Sequence, residues 1–324
     1  MLDTLGEMSR TDLYSYLKEW EQLTPLPFYS IGEPELTKVV NKGGEEFFVL
    51  KVLVSNNSDY DGIIQMNVLQ NGWWYQPMED PRARKKVEIA AHTSKEFVSV
   101  WEEQIRDVEI NTMVSGNLPY MIWQSIGNVK QERNKIVKDT IYTLPESSLE
   151  MPGEVIVDNE DSTLFVLSTP AVVGLLPKWL DKVEDTSFKY SGISWWRAPL
   201  QWTATTNAKY YGKYIRSAYV IKSGDGSQTA TWKIPVPEAC QYELYYHVFK
   251  DDELRWNDRL QGEYHFRVAY DSEMEDAYIN LRKANEGWEQ LGTYYFSADT
   301  VRVVLTDECK LRSVTADAVK IVKR

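Results

Sequence analysis

Histidine and cysteine are scarce in this chain: three of the first and two of the second among 324 residues. His92, His247 and His265 fall in no H-E-x-x-H pattern, so the sequence predicts no catalytic zinc site and no residue is assigned as a metal ligand. His247 and His265 lie on consecutive predicted strands that could approach each other. A metal there would still need a third converging ligand, so one partly buried and one surface imidazole is the expectation. Cys240 and Cys309 stand far apart and outside any metal spacing, which leaves one long-range disulfide and two free thiols both open. Basic charge is also in short supply. Lys and Arg number 36 against 48 Asp and Glu, a formal net charge of -12, which argues against nucleic acid or an anionic lipid surface as partner. No run approaches the roughly 18 apolar residues of a transmembrane segment. Residues 1–7 lack the basic and apolar regions of a signal peptide, so a chain working outside the cytoplasm is expected to be a piece of a longer precursor.

Catalytic motifs are missing too. Neither G-x-S-x-G nor a phosphate-binding loop occurs, and Ser223-Gly224-Asp225-Gly226-Ser227 reads as a turn because no helix follows it. Choosing a glycosidase acid and base among 48 carboxylates would be arbitrary, and no catalytic residue is assigned. The acidic group Asp251, Asp252, Glu253 and Asp258 reads as a solvated loop face, with a structural calcium as the alternative; no other cofactor is expected.

What the chain has in excess is aromatic: 13% of residues, including 12 Trp and 20 Tyr, which suits pleated sheets. The pattern predicts a mostly β protein with a short N-terminal helix. In a first segment, 1–30, Ser9-Arg10-Thr11-Asp12 has the form of a helix start. Leu13, Tyr16, Leu17 and Trp20 then form one apolar stripe, and Pro25 and Pro27 end it. This is a packing helix or the last helix of an upstream domain. Over 31–151, strands are predicted at 47–54, 63–69, 86–91, 96–102 and 136–144, with an irregular connection at 111–119. That spacing argues an immunoglobulin-like β-sandwich. Pro152-Gly153 marks a break. A second β-sandwich is expected over 152–324, with a strand opening at 154–161 and others near 210–212, 217–219, 230–235, 242–248, 264–268, 287–298 and 301–306. Within it, 163–210 is an elaboration holding a short helix at 178–183, and Gly292 reads as a break between two runs.

Trp288-x-x-Leu291-Gly292-x-Tyr294-x-Phe296, then Val301-x-Val303-x-Leu305 and Ala316-Asp317-Ala318-Val319-Lys320-Ile321, resemble the C-terminal half of a golvesin C-terminal-like domain. The resemblance extends over most of 152–324, except that Asp271–Glu275 would ordinarily be richer in Gly and Asn. It implies a β-sandwich (jelly-roll-like) appended to extracellular bacterial proteins and likened to carbohydrate-binding modules. An extracytoplasmic place (periplasm, cell surface or medium) follows as its implication. Residues 12–20 and 26–29 resemble the end of the helical domain in M1-type metallopeptidase-like proteins.

The constellation that stands out is Trp195, Trp196, Arg197, Gln201, Trp202, Tyr210, Tyr211 and Tyr214. Sugar rings offer apolar C–H faces to indole and phenol rings, while amide and guanidinium groups meet hydroxyls, so this stretch is the candidate glycan platform. Plain packing over the sandwich is the competing reading. Asp317, inside A-D-A-V, reads as a hydrogen-bonding strut. The expected function is a non-catalytic accessory module of a larger protein, with a glycan or another domain as partner. The alternative is the C-terminal part of a secreted peptidase or polysaccharide-degrading enzyme.

Overall fold

A computed structural model describes residues 26–70, 80–126, 129–133, 137–146, 153–168, 189–190, 198–250, 262–271 and 273–324. The two helices read at 9–20 and 178–183 lie outside the described residues. The protein is mostly β, with 22 strands among those residues. They fall into two compact units. One holds the chain to Ile105 with Asn111–Gly116 and Asn128–Ser147; the other holds Arg106–Ile110, Asn117–Gly127 and Ser148–Arg324.

The first unit carries β1 (Tyr29–Ile31), β2 (Glu35–Val40), β3 (Glu46–Asn56), β4 (Gly62–Gln70), β5 (Arg84–Ile89) and β6 (Thr93–Trp101). After β7 (Ile105–Asn111) and β8 (Met121–Ser125), which neighbour each other, it resumes with β9 (Val129–Arg133) and β10 (Thr140–Pro145). One sheet runs β10-β6-β3-β2-β9, with β1 added against β3. β2 and β9 pair parallel, so the chain between them must cross over rather than turn back. Val39, Val49 and Val98 are buried together, flanked by Phe47, Val100 and Val137. His92, just before β6, has φ +52 and is held by two carboxylates, Asp59 at Nε2 and Glu146 at Nδ1, each 2.8 Å away.

The second unit continues with β11 (Glu154–Val157), β12 (Phe165–Leu167), β13 (Thr203–Thr206), β14 (Ser217–Lys222), β15 (Thr229–Pro235), β16 (Cys240–Val248) and β17 (Glu263–Tyr270). β18 (Glu273–Asn280), β19 (Gly287–Phe296), β20 (Thr300–Thr306), β21 (Ser313–Ala316) and β22 (Val319–Lys323) complete it. Three sheets run β11-β22-β16-β19, β12-β15-β20-β17-β18 and β13-β14-β21. Alternation along β16 sends Tyr242, Leu244, Tyr246 and Val248 inward. Trp232 of β15, Phe266 of β17 and Val303 of β20 enter the same core from the second sheet. Trp232 is wholly buried, touches the rings of Phe165 and Tyr246, and donates its indole N–H to the Asp317 carbonyl at 3.2 Å. Cys240 and Cys309 are both free thiols.

Candidate functional site

On β16 the residues between the inward set, Glu243, Tyr245 and His247, point to the outer face. β19 reaches that face through an irregularity. Leu244 pairs with Gly292 but Tyr245 pairs with Gln290, so Leu291 is one residue too many. This is a β-bulge, and it reverses the alternation. Tyr294 and Phe296 are buried in the core, whereas Trp288, an even number of residues away, sits opposite His247 on the outer side. Gly292 is therefore not the break that its place in the sequence suggests; β19 runs unbroken through it. A Cβ there would come within 2.7 Å of the Tyr294 ring, so glycine lets that ring lie back over its own strand.

Three rings meet at this end of the outer face. Tyr211 lies 5.0 Å from Trp288 and 5.7 Å from His247, and His247 meets Trp288 edge-on at 5.1 Å. Asp317 anchors two of the three residues, Tyr211 and His247. Its side chain is wholly buried; it accepts from the Tyr211 N–H at 3.1 Å and faces His247 Nδ1 at 2.8 Å. Burial pushes the Asp317 carboxyl up, and the imidazole and the Tyr211 N–H act against that shift. Close by, burial and then the charge of Asp317 push the Asp158 carboxyl well above the usual carboxylate range. Lys320 also lies over Trp288. Its Nζ lies 4.9 Å from the indole centre and 5.4 Å from that of Tyr245, and 3.0 Å from Glu154 Oε1. Together the group offers partly exposed rings, the imidazole held by Asp317 and the Tyr211 and Trp288 rings packed against it, with no nucleophile and base side by side.

Comparison with known proteins bears on this unit. Residues 195–323 match the Golvesin C-terminal domain. Among solved structures, a Paenibacillus xanthan lyase is similar at 17% identity and a TM-score of 0.37, over 93% of this chain and 27% of that one. A Bacteroides uniformis β-glucuronidase is similar at 9% identity and a TM-score of 0.25, over 94% of this chain and 31% of that one. The chain thus spans under a third of either. No curated protein matches it.

Within the golvesin match, the eight residues of the aromatic stretch part company. Trp195, Trp196 and Arg197 lie outside the described residues. Gln201 is exposed, while Trp202 is partly buried against the core. Tyr210 is 5% exposed and meets Phe249 edge-on at 4.8 Å. Tyr214 lies under Lys213 Nζ at 5.6 Å, and its carbonyl accepts from the Leu118 N–H at 3.0 Å. Among the described ones, Tyr211 alone joins the ring cluster. Trp288 and His247, its companions, were not singled out as ligand residues. The signal for Trp288 was its place at the head of W-x-x-L-G, but the bulge that turns it outward is invisible in the spacing.

His247 and His265 do not approach as a pair on one sheet. Their strands follow each other in sequence but belong to different sheets, and each imidazole has its own aspartate. His265 stands on the outer face of the second sheet, opposite Tyr278, with the two rings stacked at 4.9 Å and 9°. Between that face and residues 308–310 lies a cleft of about 240 Å³. Among the described residues no group of three or more His, Cys, Asp and Glu could hold a metal. The acidic group at 251–258 lies outside them.

Proposed function

We propose that the chain is a non-catalytic accessory module of a larger extracytoplasmic bacterial protein, whose C-terminal unit binds carbohydrate. The observation carrying this is the cluster of Tyr211, His247 and Trp288, partly exposed, in which a buried aspartate holds the imidazole and the Tyr211 backbone. Rings fixed in advance cost little further entropy on binding, and their apolar faces match the C–H faces of a sugar. With Nδ1 engaged by Asp317, His247 keeps Nε2 as its second polar atom for a hydroxyl. In this reading 152–324 is an autonomous β-sandwich, supported by one core covered from two sheets, and 31–151 is an immunoglobulin-like one. The golvesin match, with the extracellular setting that the resemblance implies, agrees with it.

Screening the whole chain on a glycan array tests the proposal. Binding of at least one glycan, weakened about tenfold by Trp288→Ala with folding intact, is the expected result. An array without a binder, or pure protein that turns over glycans and loses that activity with one side chain, would refute it.

A further inference from the structure

The cleft on the second sheet has the makings of a ligand site that the ring cluster does not share. Its floor is the outer face of β17 and β18, where direct cross-strand partners set His265 beside Tyr278 and Glu263 beside Asn280. Its wall is the segment that follows β20, with Glu308, Cys309 and Lys310. Tyr278 is 55% exposed although its ring is stacked on His265, so one face is held against imidazole while the other faces outward. His265 is itself fixed, with Nε2 at 2.7 Å from Asp276 Oδ1. Its buried Nδ1 has no hydrogen bond among the described residues and lies 3.4 Å from Glu308 Oε2. A flat ring locked in place is a stacking surface whose ordering cost is already met before a ligand arrives.

The polar groups around that ring restrict what can stack on it. Glu263 and Glu308 line the cleft and Asp276 adjoins it, against Lys310, the one lysine or arginine among the described residues that line it. Three carboxylates beside one ammonium repel an acid and accept hydrogen bonds from hydroxyls. Asn280 adds both a donor and an acceptor. Cys309 contributes no charge, because burial pushes its thiol up. The volume, about 240 Å³, falls below the roughly 300–1,000 Å³ of pockets that enclose drug-sized ligands, and so suits one ring rather than a chain.

We infer that this cleft is a second carbohydrate subsite, which seats one uncharged sugar ring against Tyr278 with its hydroxyls donating to Glu263 and Glu308. The inference rests on the carbohydrate-binding reading above, but on different residues and a different sheet. Both Tyr278 and Glu308 are well exposed, so replacing them disturbs little packing.

Calorimetry on the whole chain decides it, with three probes of equal length: a β-1,4-glucose hexasaccharide, a β-1,4-mannose hexasaccharide and an α-1,4-galacturonate hexasaccharide. A neutral probe should bind, weaken about tenfold in Tyr278→Ala, recover in Tyr278→Phe, and weaken in Glu308→Gln, with the galacturonate at least about tenfold poorer. If Trp288→Ala abolishes binding while Tyr278→Ala and Glu308→Gln match wild type, the cleft takes no sugar and the general reading stands. If the galacturonate binds best, the assignment to uncharged sugars is wrong. If no probe binds, both inferences fall.

Discussion

Replacing Asp317 tests whether the ring cluster depends on a buried acceptor or on a buried charge. Asp317→Ala removes the acceptor of two donors, the Tyr211 N–H and His247 Nδ1–H, at a position with no solvent exposure to compensate. Each stranded buried donor costs about 1–3 kcal/mol, partly offset because the burial penalty of the carboxylate disappears with it. Breaking a buried pair from one side costs about 3–5 kcal/mol. At about 3 °C per kcal/mol for a unit of this size, the melting temperature should fall by about 9–15 °C. Asp317→Asn behaves differently. Its carbonyl oxygen can serve the Tyr211 N–H while its amide donates to Nδ1, provided His247 shifts its proton to Nε2. The volume is kept and the buried charge is gone, so the cost should stay below about 2 kcal/mol. Urea unfolding of the three proteins gives the energies, and imidazole ¹⁵N shifts give the tautomer. Equal losses in the two variants, or an Asn variant whose His247 keeps its proton on Nδ1, would refute this account.

Two titrations follow from the same kind of reasoning. Asp158 holds its proton more tightly folded than unfolded, so its contribution to stability falls as pH rises from the unfolded value of about 3.9 through the raised folded one. Asp158→Asn should flatten the pH dependence of the urea midpoint in that window, and parallel curves for the two proteins would count against it. His92 should titrate above the usual histidine value because its hydrogen bonds to Asp59 and Glu146 favour the charged ring. The contribution is present below the unfolded value and is lost as pH rises through the folded one. NMR should show the midpoint dropping in Asp59→Asn, and an unchanged midpoint would show the contact to be absent in solution.

Much of the fold was legible where burial follows strand alternation. β3, β4, β15, β16 and β17 fall where apolar residues alternate or run together, and the strut at Asp317 was visible from its polar place inside an apolar run. β9 escaped because Val129-Lys130-Gln131-Glu132-Arg133 is an edge strand with almost no apolar side, recognisable only by its partner. Gly292 misled for a related reason: a glycine inside a strand can mark a bulge as well as a break, and only the register of the opposite strand distinguishes them. The approach of His247 and His265 stayed open in the sequence because order in the chain says nothing of which sheet a strand joins. Tyr278 drew no attention because it sits in Glu273-Met274-Glu275-Asp276-Ala277-Tyr278, a mostly polar run whose outward face is also its exposed one.

The extra residue at Leu291 makes the identity of the exposed side chain a matter of phase. Inserting one residue between Glu289 and Gln290, with the bulge kept, would bring Glu289 opposite His247 in place of Trp288, putting a carboxylate at the centre of the ring group while leaving the core half of the strand in register. Inserting two residues there would return the indole to the outer face, but two positions further along the strand. Relatives of this chain can therefore be sorted by the parity of that interval taken together with the bulge, counted from the core tyrosine back to the tryptophan: an even interval with the extra residue keeps the ring outside, and an even interval without it turns the ring into the core.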